Sequence, residues 1–333
     1  MLKKIALFVT ILLSILVLSF FLMLDHQMNT PINIDQEEFV EVKTGTSVSS
    51  FSKALVNQHW LTNRFWLRAY VRINPDMANL KSGMYKIMPG TSLVALLNKI
   101  VAGEEHQFKV TFIEGSTFKQ WLSILAQQKH LKHTLHSASI DDIAKKLQIE
   151  HKNPEGWFYP DTYAYTSHTT DLALLQRAYQ RMQTELETLW ATRAENLPFD
   201  TPYQGLILAS IIEKESSKVD ELPLIASVFI NRLYQKMRLQ TDPTVIYGLG
   251  DRYQGDIKRS HLREKTLYNT YRIDGLPPTP IAMPGKMALQ AALAPISSDY
   301  LYFVSKGDGY HKFSTTLAEH NRAVAEFILN KNK

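Results

Sequence analysis

At 333 residues, with 45% hydrophobic and 21% charged side chains, the chain can bury a substantial core and divide into more than one domain. Its formal charge of +5 is spread thinly, with no Lys/Arg block, which argues against a nucleic-acid partner and suits an anionic polymer or a membrane surface. Cysteine is absent, which excludes disulfides, thiolate chemistry and lipoprotein acylation.

Residues 1–4, Met-Leu-Lys-Lys, precede a charge-free run from Ile5 to Leu24 that is long enough to cross a bilayer as a helix. Lys3 and Lys4 before the run and Asp25 after it predict a cytoplasmic N-terminus, with everything beyond Asp25 on the other side. A cleaved signal peptide would have a shorter apolar core and a small-x-small site. Phe20-Phe21-Leu22-Met23-Leu24 offers none, so residues 5–24 are read as a retained transmembrane helix. Residues 25–38 are polar, include Pro31, and read as a linker.

A pattern then repeats. "FVEVKTGTSVSSFSKAL" from Phe39 and "MYKIMPGTSLVALLNKI" from Met84 each give an alternating strand, a Gly-Thr-Ser turn and a helical apolar pattern. "KVTFIEGSTFKQWLSIL" from Lys109 is a weaker third copy. Gly45, Gly90 and Gly115 supply the permissive turn backbone, and the Ser or Thr that follows can cap the helix. Two or three copies are too few for a solenoid and predict small α+β modules.

From about Pro154 the composition changes. "GWFYPDTYAY", Gly156 to Tyr165, is dense in aromatic rings, and suits either a core-packing loop or a platform on which sugar rings stack. A long amphipathic helix is expected from Asp171 to about Arg193. In "LASIIEKESSK", Leu208 to Lys218, positions Leu208, Ile211, Ile212 and Glu215 share one helical face, with Glu213 about two hundred degrees away. A carboxyl that continues an apolar stripe is hard to ionise, which suits a general acid. Two solvated glutamates at a helix end, paired with Lys214 and Lys218, would read the same way.

Three longer motifs follow. They are "IASVFINRLYQKMRLQTDPTVIYGLG" (Ile225 to Gly250), "LYNTYRIDGLPPTPIAMPG" (Leu267 to Gly285) and "YLYFVSKGDGYHKFSTTLAEHN" (Tyr300 to Asn321). In this order, from the apolar helix to the C-terminus, the chain closely resembles the endolytic murein transglycosylases, the YceG-like family. The resemblance implies an α+β protein in three parts: an N-terminal transmembrane helix, a LysM-like glycan-binding region over residues 39–107, and a mixed α+β catalytic domain with a helix-borne Glu over residues 108–330. It implies residence in the cell inner membrane with the bulk periplasmic, and action on peptidoglycan glycan strands during wall assembly, where nascent strands end. Peptidoglycan synthases are the protein partners it points to.

The resemblance puts the catalytic glutamate in Ala209 to Glu215. Related transglycosylases use a Glu followed by Ser, and Glu215-Ser216 matches that pair where Glu213-Lys214 does not, so Glu215 is the expected proton donor. Ser216, Gln240, Thr241, Asp242, Asn269 and Tyr271 are the expected substrate contacts. Asp242 before Pro243 could equally be a helix cap, and Tyr271 could be core. The Pro-rich "GLPPTPIAMPG" reads as a rigid cleft wall. Gly307-Asp308-Gly309 reads as a hairpin turn, with Ser314 or Thr315 capping a final helix.

A lytic transglycosylase needs one carboxyl rather than the usual glycosidase pair, because the muramoyl 6-hydroxyl attacks its own anomeric carbon. No metal or cofactor is expected: His311 and His320 are not at ligand spacing, and no phosphate loop or nucleophile elbow occurs. A non-catalytic glycan-binding scaffold and a hydrolytic muramidase remain as alternatives.

Overall fold

The computed structural model describes residues 1–329, so Asn330, the last residue of the expected catalytic domain, lies outside them. The chain forms two compact units, residues 1–108 with 164–169, and residues 109–163 with the chain from Thr170 onward. It is mixed α+β, and among the described residues the strands form three two-stranded sheets.

The first unit contains α1 (Leu2–Asn29), β1 (Glu38–Val42), α2 (Val48–Asn57), α3 (Phe65–Ile73), β2 (Gly83–Ile87) and α4 (Leu93–Ala102). The strands pair antiparallel, with Val40 opposite Tyr85 and Val42 opposite Gly83, so Val40, Val42, Tyr85 and Ile87 point into one core. Helix α1 is long and apolar enough to cross a membrane.

The expected linker at residues 25–38 needs correction. Helix α1 continues to Asn29, and Leu24, Met28 and Ile32 are buried in the core with Leu67, Val71 and Leu97. Ile32 N–H donates to the Thr91 carbonyl, and Pro31 bridges Ser92. Polar composition concealed this, because Leu24 and Met28 are one helical turn apart and make a narrow apolar edge among polar neighbours.

The three repeats share one local geometry. Gly45, Gly90 and Gly115 have φ of 79°, 86° and 70°, the left-handed region where a side chain is unfavourable. Ser47, Ser92 and Thr117 then cap α2, α4 and the helix after the third turn.

The second unit begins within β3 (Phe108–Thr111) and runs through α5 (Phe118–Ala126), α6 (Ile140–Lys146) and the first half of β4 (Thr162–Tyr165). There follow α7 (Asp171–Ala191), α8 (Pro202–Glu215), α9 (Leu222–Tyr234), α10 (Asp242–Leu249), α11 (Arg259–Arg263), α12 (Lys286–Leu293), β5 (Tyr302–Ser305), β6 (His311–Ser314) and α13 (Leu317–Val324). Its core is a helical cluster centred on α8, in which Gly205 to Ile212 are all buried. Gly205 permits close contact with α12, since a Cβ there would lie 2.7 Å from a Leu293 methyl.

Helix α8 therefore does not present a single apolar stripe, because it is buried all round. The aromatic stretch resolves in favour of packing: Phe158, Tyr159, Tyr163 and Tyr165 are buried. The Pro-rich segment also runs inside, where Ile281 N–H donates to Ser210 Oγ and Met283 N–H to the Ser116 carbonyl. The β5–β6 hairpin turns at Gly307 to Gly309, but α13 is capped by Thr316, one residue beyond the expected Ser314 or Thr315. Ser314 is still in the strand.

Candidate active site

Helix α8 starts with a reciprocal cap. Thr201 Oγ1 accepts from Gln204 N–H while Gln204 Oε1 accepts from Thr201 N–H, and Pro202 occupies the first turn. Its other end is the informative one. Glu215 is the last helical residue and Ser216 is extended (φ −150°, ψ 142°), so the Glu215 side chain leaves the core where the backbone changes direction.

Glu215 lines a cavity of about 350 Å³ together with Gln240, Thr241, Asp242 and Tyr271. Thr241 Oγ1 donates to Glu215 Oε1. The threonine is itself buried and fixed: its N–H donates to Thr270 Oγ1 at 3.0 Å, and its carbonyl accepts from Thr244 Oγ1 at 2.8 Å. Tyr271 Oη donates to Asp242 Oδ1 at 2.7 Å at the start of α10. Gln240 has φ of 50°, a left-handed backbone that is strained for a residue with a side chain. Its Oε1 accepts from Arg232 Nη1 at 3.4 Å.

The electrostatics favour a neutral Glu215. Burial raises its pKa to about 7, the neighbouring Asp242 adds to the rise, and the Thr241 hydroxyl and Arg232 oppose it. Tyr271 is pushed above the usual phenol range, first by burial and then by Asp242.

Two expected contacts lie outside the cavity. Asn269 is fully buried, its amide donates to the carbonyls of His261, Leu262 and Glu264, and its Oδ1 accepts from Tyr271 N–H. An asparagine so engaged ties a loop together and has no group left for a sugar. Ser216 follows the helix, and its Oγ accepts from Lys218 N–H at 3.0 Å.

Glu213 has a different setting. Its Oε2 accepts from Gly285 N–H at 2.9 Å, before α12, and it is absent from the cavity lining. Its pKa also rises to about 7, through burial and the nearby Glu114.

Three polar cavity residues were not anticipated. Arg232, buried on α9, donates through Nε to the Leu301 carbonyl and through Nη1 to the Leu239 carbonyl. Tyr302 lies with its ring centre 5.1 Å from the Arg232 guanidinium and stacks on His320 at 5.2 Å. Burial and Arg232 lower the pKa of His320. An arginine inside the apolar "VFINRL" was a readable signal for Arg232. Tyr302 reaches the cavity from β5 and His320 from α13, and nothing local marks them. Among the described residues no group of three His, Asp or Glu side chains is placed to hold a metal ion.

Chemically, the cavity offers a carboxyl that carries its proton near neutral pH, a fixed hydroxyl on one of its oxygens, and a tyrosine–aspartate pair beside it. That set can protonate a leaving oxygen and afterwards accept a proton.

Comparison with known proteins bears on what uses such a site. A family model described as the YceG-like family matches residues 40–326. An endolytic murein transglycosylase of Bacillus subtilis (strain 168) is 30% identical over 323 residues, covering 91% of this chain and 89% of that protein. One from Streptococcus pneumoniae serotype 2 is 28% identical over 90% of this chain, which spans 60% of that relative's length. The 2.6 Å crystal structure of a YceG-like protein from Listeria monocytogenes aligns with a TM-score of 0.53 at 30% identity, over 87% of this chain and 100% of that one.

Proposed function

Because the chain belongs to the YceG-like family, we propose that it is a membrane-anchored endolytic lytic transglycosylase. It cuts the MurNAc–GlcNAc bond within peptidoglycan glycan strands and leaves 1,6-anhydroMurNAc ends. The observation that carries this reading is the Glu215 carboxyl, held near pKa 7 in a cavity with a fixed hydroxyl on Oε1.

In this mechanism Thr241 occupies Oε1, so the acidic proton resides on Oε2, facing substrate. That proton passes to the glycosidic oxygen as the bond to the anomeric carbon breaks. The Glu215 carboxylate then takes the proton of the muramoyl 6-hydroxyl, whose oxygen closes on the anomeric carbon. The atoms balance without water, and proximity supplies what a second carboxylate does in an ordinary glycosidase. The Asp242 carboxylate stabilises the positive charge that develops on the sugar, while Gln240, Tyr271 and Arg232 orient it.

The anchor is α1, with Lys3 and Lys4 in the cytoplasm and the chain beyond Asp25 on the periplasmic face of the inner membrane. Burial of Leu24 and Met28 supports retention of the helix, since cleavage after it would remove core side chains. The strand–turn–helix modules of residues 39–107 serve as a LysM-like glycan-binding region, and the enzyme ends nascent strands beside peptidoglycan synthases.

Asp242 gives a second reading some support, since two carboxyls in one cavity are the pair an ordinary hydrolytic glycosidase uses. Mass spectrometry of purified glycan strands digested by the full-length protein separates the readings. We expect internal cuts with anhydro ends. Reducing ends would identify a muramidase, and binding without cleavage a scaffold.

A further inference from the structure

We propose that α3 is a membrane-interface helix, with its Phe65–Ala69–Ile73 face set at the boundary between headgroups and acyl chains, and Arg64, Arg68 and Arg72 on anionic lipid headgroups. The bilayer is the one that α1 spans, so the inference rests on the anchored reading.

The first argument is depth. The Phe20 ring on α1 packs edge-on against Phe65 at 6.4 Å and lies 6.0 Å from the Trp66 ring. The charge-free run from Ile5 to Leu24 is bracketed by Lys4 and Asp25. At 1.5 Å per residue it is about 30 Å long, the thickness of the hydrocarbon layer, so it has little room to slide. Phe20 lies four residues before the end of this run, about 6 Å below the outer edge of the hydrocarbon. Its partners Phe65 and Trp66 must share that depth. Interfacial helices bury their apolar faces by about 5–10 Å.

The second argument is the surface of α3. Leu67 and Val71 face the core, yet Phe65 is 58% exposed and Ile73 46%. Phe65, Ala69 and Ile73 recur every four residues, with Phe65 and Ile73 exposed and Ala69 between them partly buried against the core. A groove of about 890 Å³ opens beside them, lined also by Phe20 and Val48.

Charge is the third. Arg64, Arg68 and Arg72 form the adjacent column, all exposed, and "RFWLRAYVRI" contains no acidic residue. Among the described residues none of the three makes an ion pair. Arg64 is moreover the N-cap, where the helix dipole disfavours a cation. A phosphate surface compensates that arrangement. A second copy of the same face would set arginine columns against each other.

Because the chain lacks cysteine, single labels can be introduced cleanly. Full-length protein carrying Phe65→Cys, and separately Ile73→Cys, is labelled with an environment-sensitive fluorophore and reconstituted into phosphatidylcholine vesicles with or without phosphatidylglycerol. Spin-labelled lipids with shallow or deep nitroxides then report depth. Phe21→Cys, exposed on α1, is the control for insertion. We expect blue-shifted emission at both α3 positions, quenched at least twofold better by the shallow nitroxide. Joint replacement of Arg64, Arg68 and Arg72 by Glu should lessen that quenching, most of all in anionic vesicles. A water-like, unquenched label at both α3 positions with a quenched Phe21→Cys control overturns the inference and leaves the anchor standing. Protection from lipid with energy transfer between labelled copies would assign the face to self-association and overturn it too. An unquenched control would defeat the anchored reading and this inference with it.

Discussion

Glu213 and Glu215 both reach a pKa near 7 and for the same leading reason, burial, so acidity alone does not choose between them. Surroundings do. Glu213 is engaged by the Gly285 amide, whereas Glu215 opens on the cavity with a hydroxyl on one oxygen. Glu215→Gln should keep the fold and lose roughly a hundred- to ten-thousand-fold in turnover, the usual worth of acid–base assistance. Glu213→Gln should cost far less, because its amide oxygen still accepts from Gly285. Turnover of both on one purified glycan, with thermal unfolding as control, decides this, and the reverse pattern would move the role to Glu213. In the proposed mechanism the protonated acid starts the reaction, so wild-type activity should decline as pH rises through about 7. At this scale the sequence was informative where a motif is contiguous. "LQTDPT" delivered Gln240, Thr241 and Asp242 to the cavity together. It misled at Asn269, because a polar residue in a loop gives no sign that three carbonyls will enclose its amide.

Among the elements of the second unit, α5 and α10 are joined by a carboxyl outside the Glu215 cavity. Glu155, 3% exposed, accepts from Phe118 N–H at 2.9 Å and from Tyr247 Oη at 3.2 Å. Burial outweighs these bonds and lifts its pKa from 4.5 to about 7. The folded state thus holds this proton more tightly than the unfolded chain does. The resulting stabilisation is complete below about pH 4.5 and is lost as pH rises through about 7. The shift is worth on the order of 3 kcal/mol. Glu155→Gln should therefore shrink the fall in melting temperature between pH 5 and pH 8 by several degrees, measured by calorimetry. An unchanged difference would mean that Glu155 is ionised throughout. The elements legible in the sequence were those with local signals: a glycine, a capping hydroxyl and an apolar period predict the three repeats and α7. Helix α8 and the Pro-rich segment escaped in part because burial on every side leaves no periodicity to read.

For the molecule as a whole, the change of unit falls between Phe108 and Lys109, well before the change in composition near Pro154. The return of residues 164–169 to the first unit was invisible, since only long-range packing decides it. So was the role of the end of α1. Leu24 and Met28 belong to the first unit's core at 4% and 1% exposure. Replacing either by Ala in the full-length protein should cost roughly 2–5 kcal/mol, the range for large core side chains. Exchange of amide hydrogens in β1 and β2 should quicken accordingly in nanodiscs. Unchanged exchange would mean that α1 ends independently of the unit. Under the proposed anchoring by α1, the same continuity constrains how the protein can leave the membrane. No spare chain lies between the lipid and the folded core for a sheddase to clip: a cut after Leu24 pulls part of the core away with the helix, and a cut before it falls within the bilayer. Removal must then begin with an intramembrane protease or with extraction and unfolding, and an intact soluble form should not accumulate.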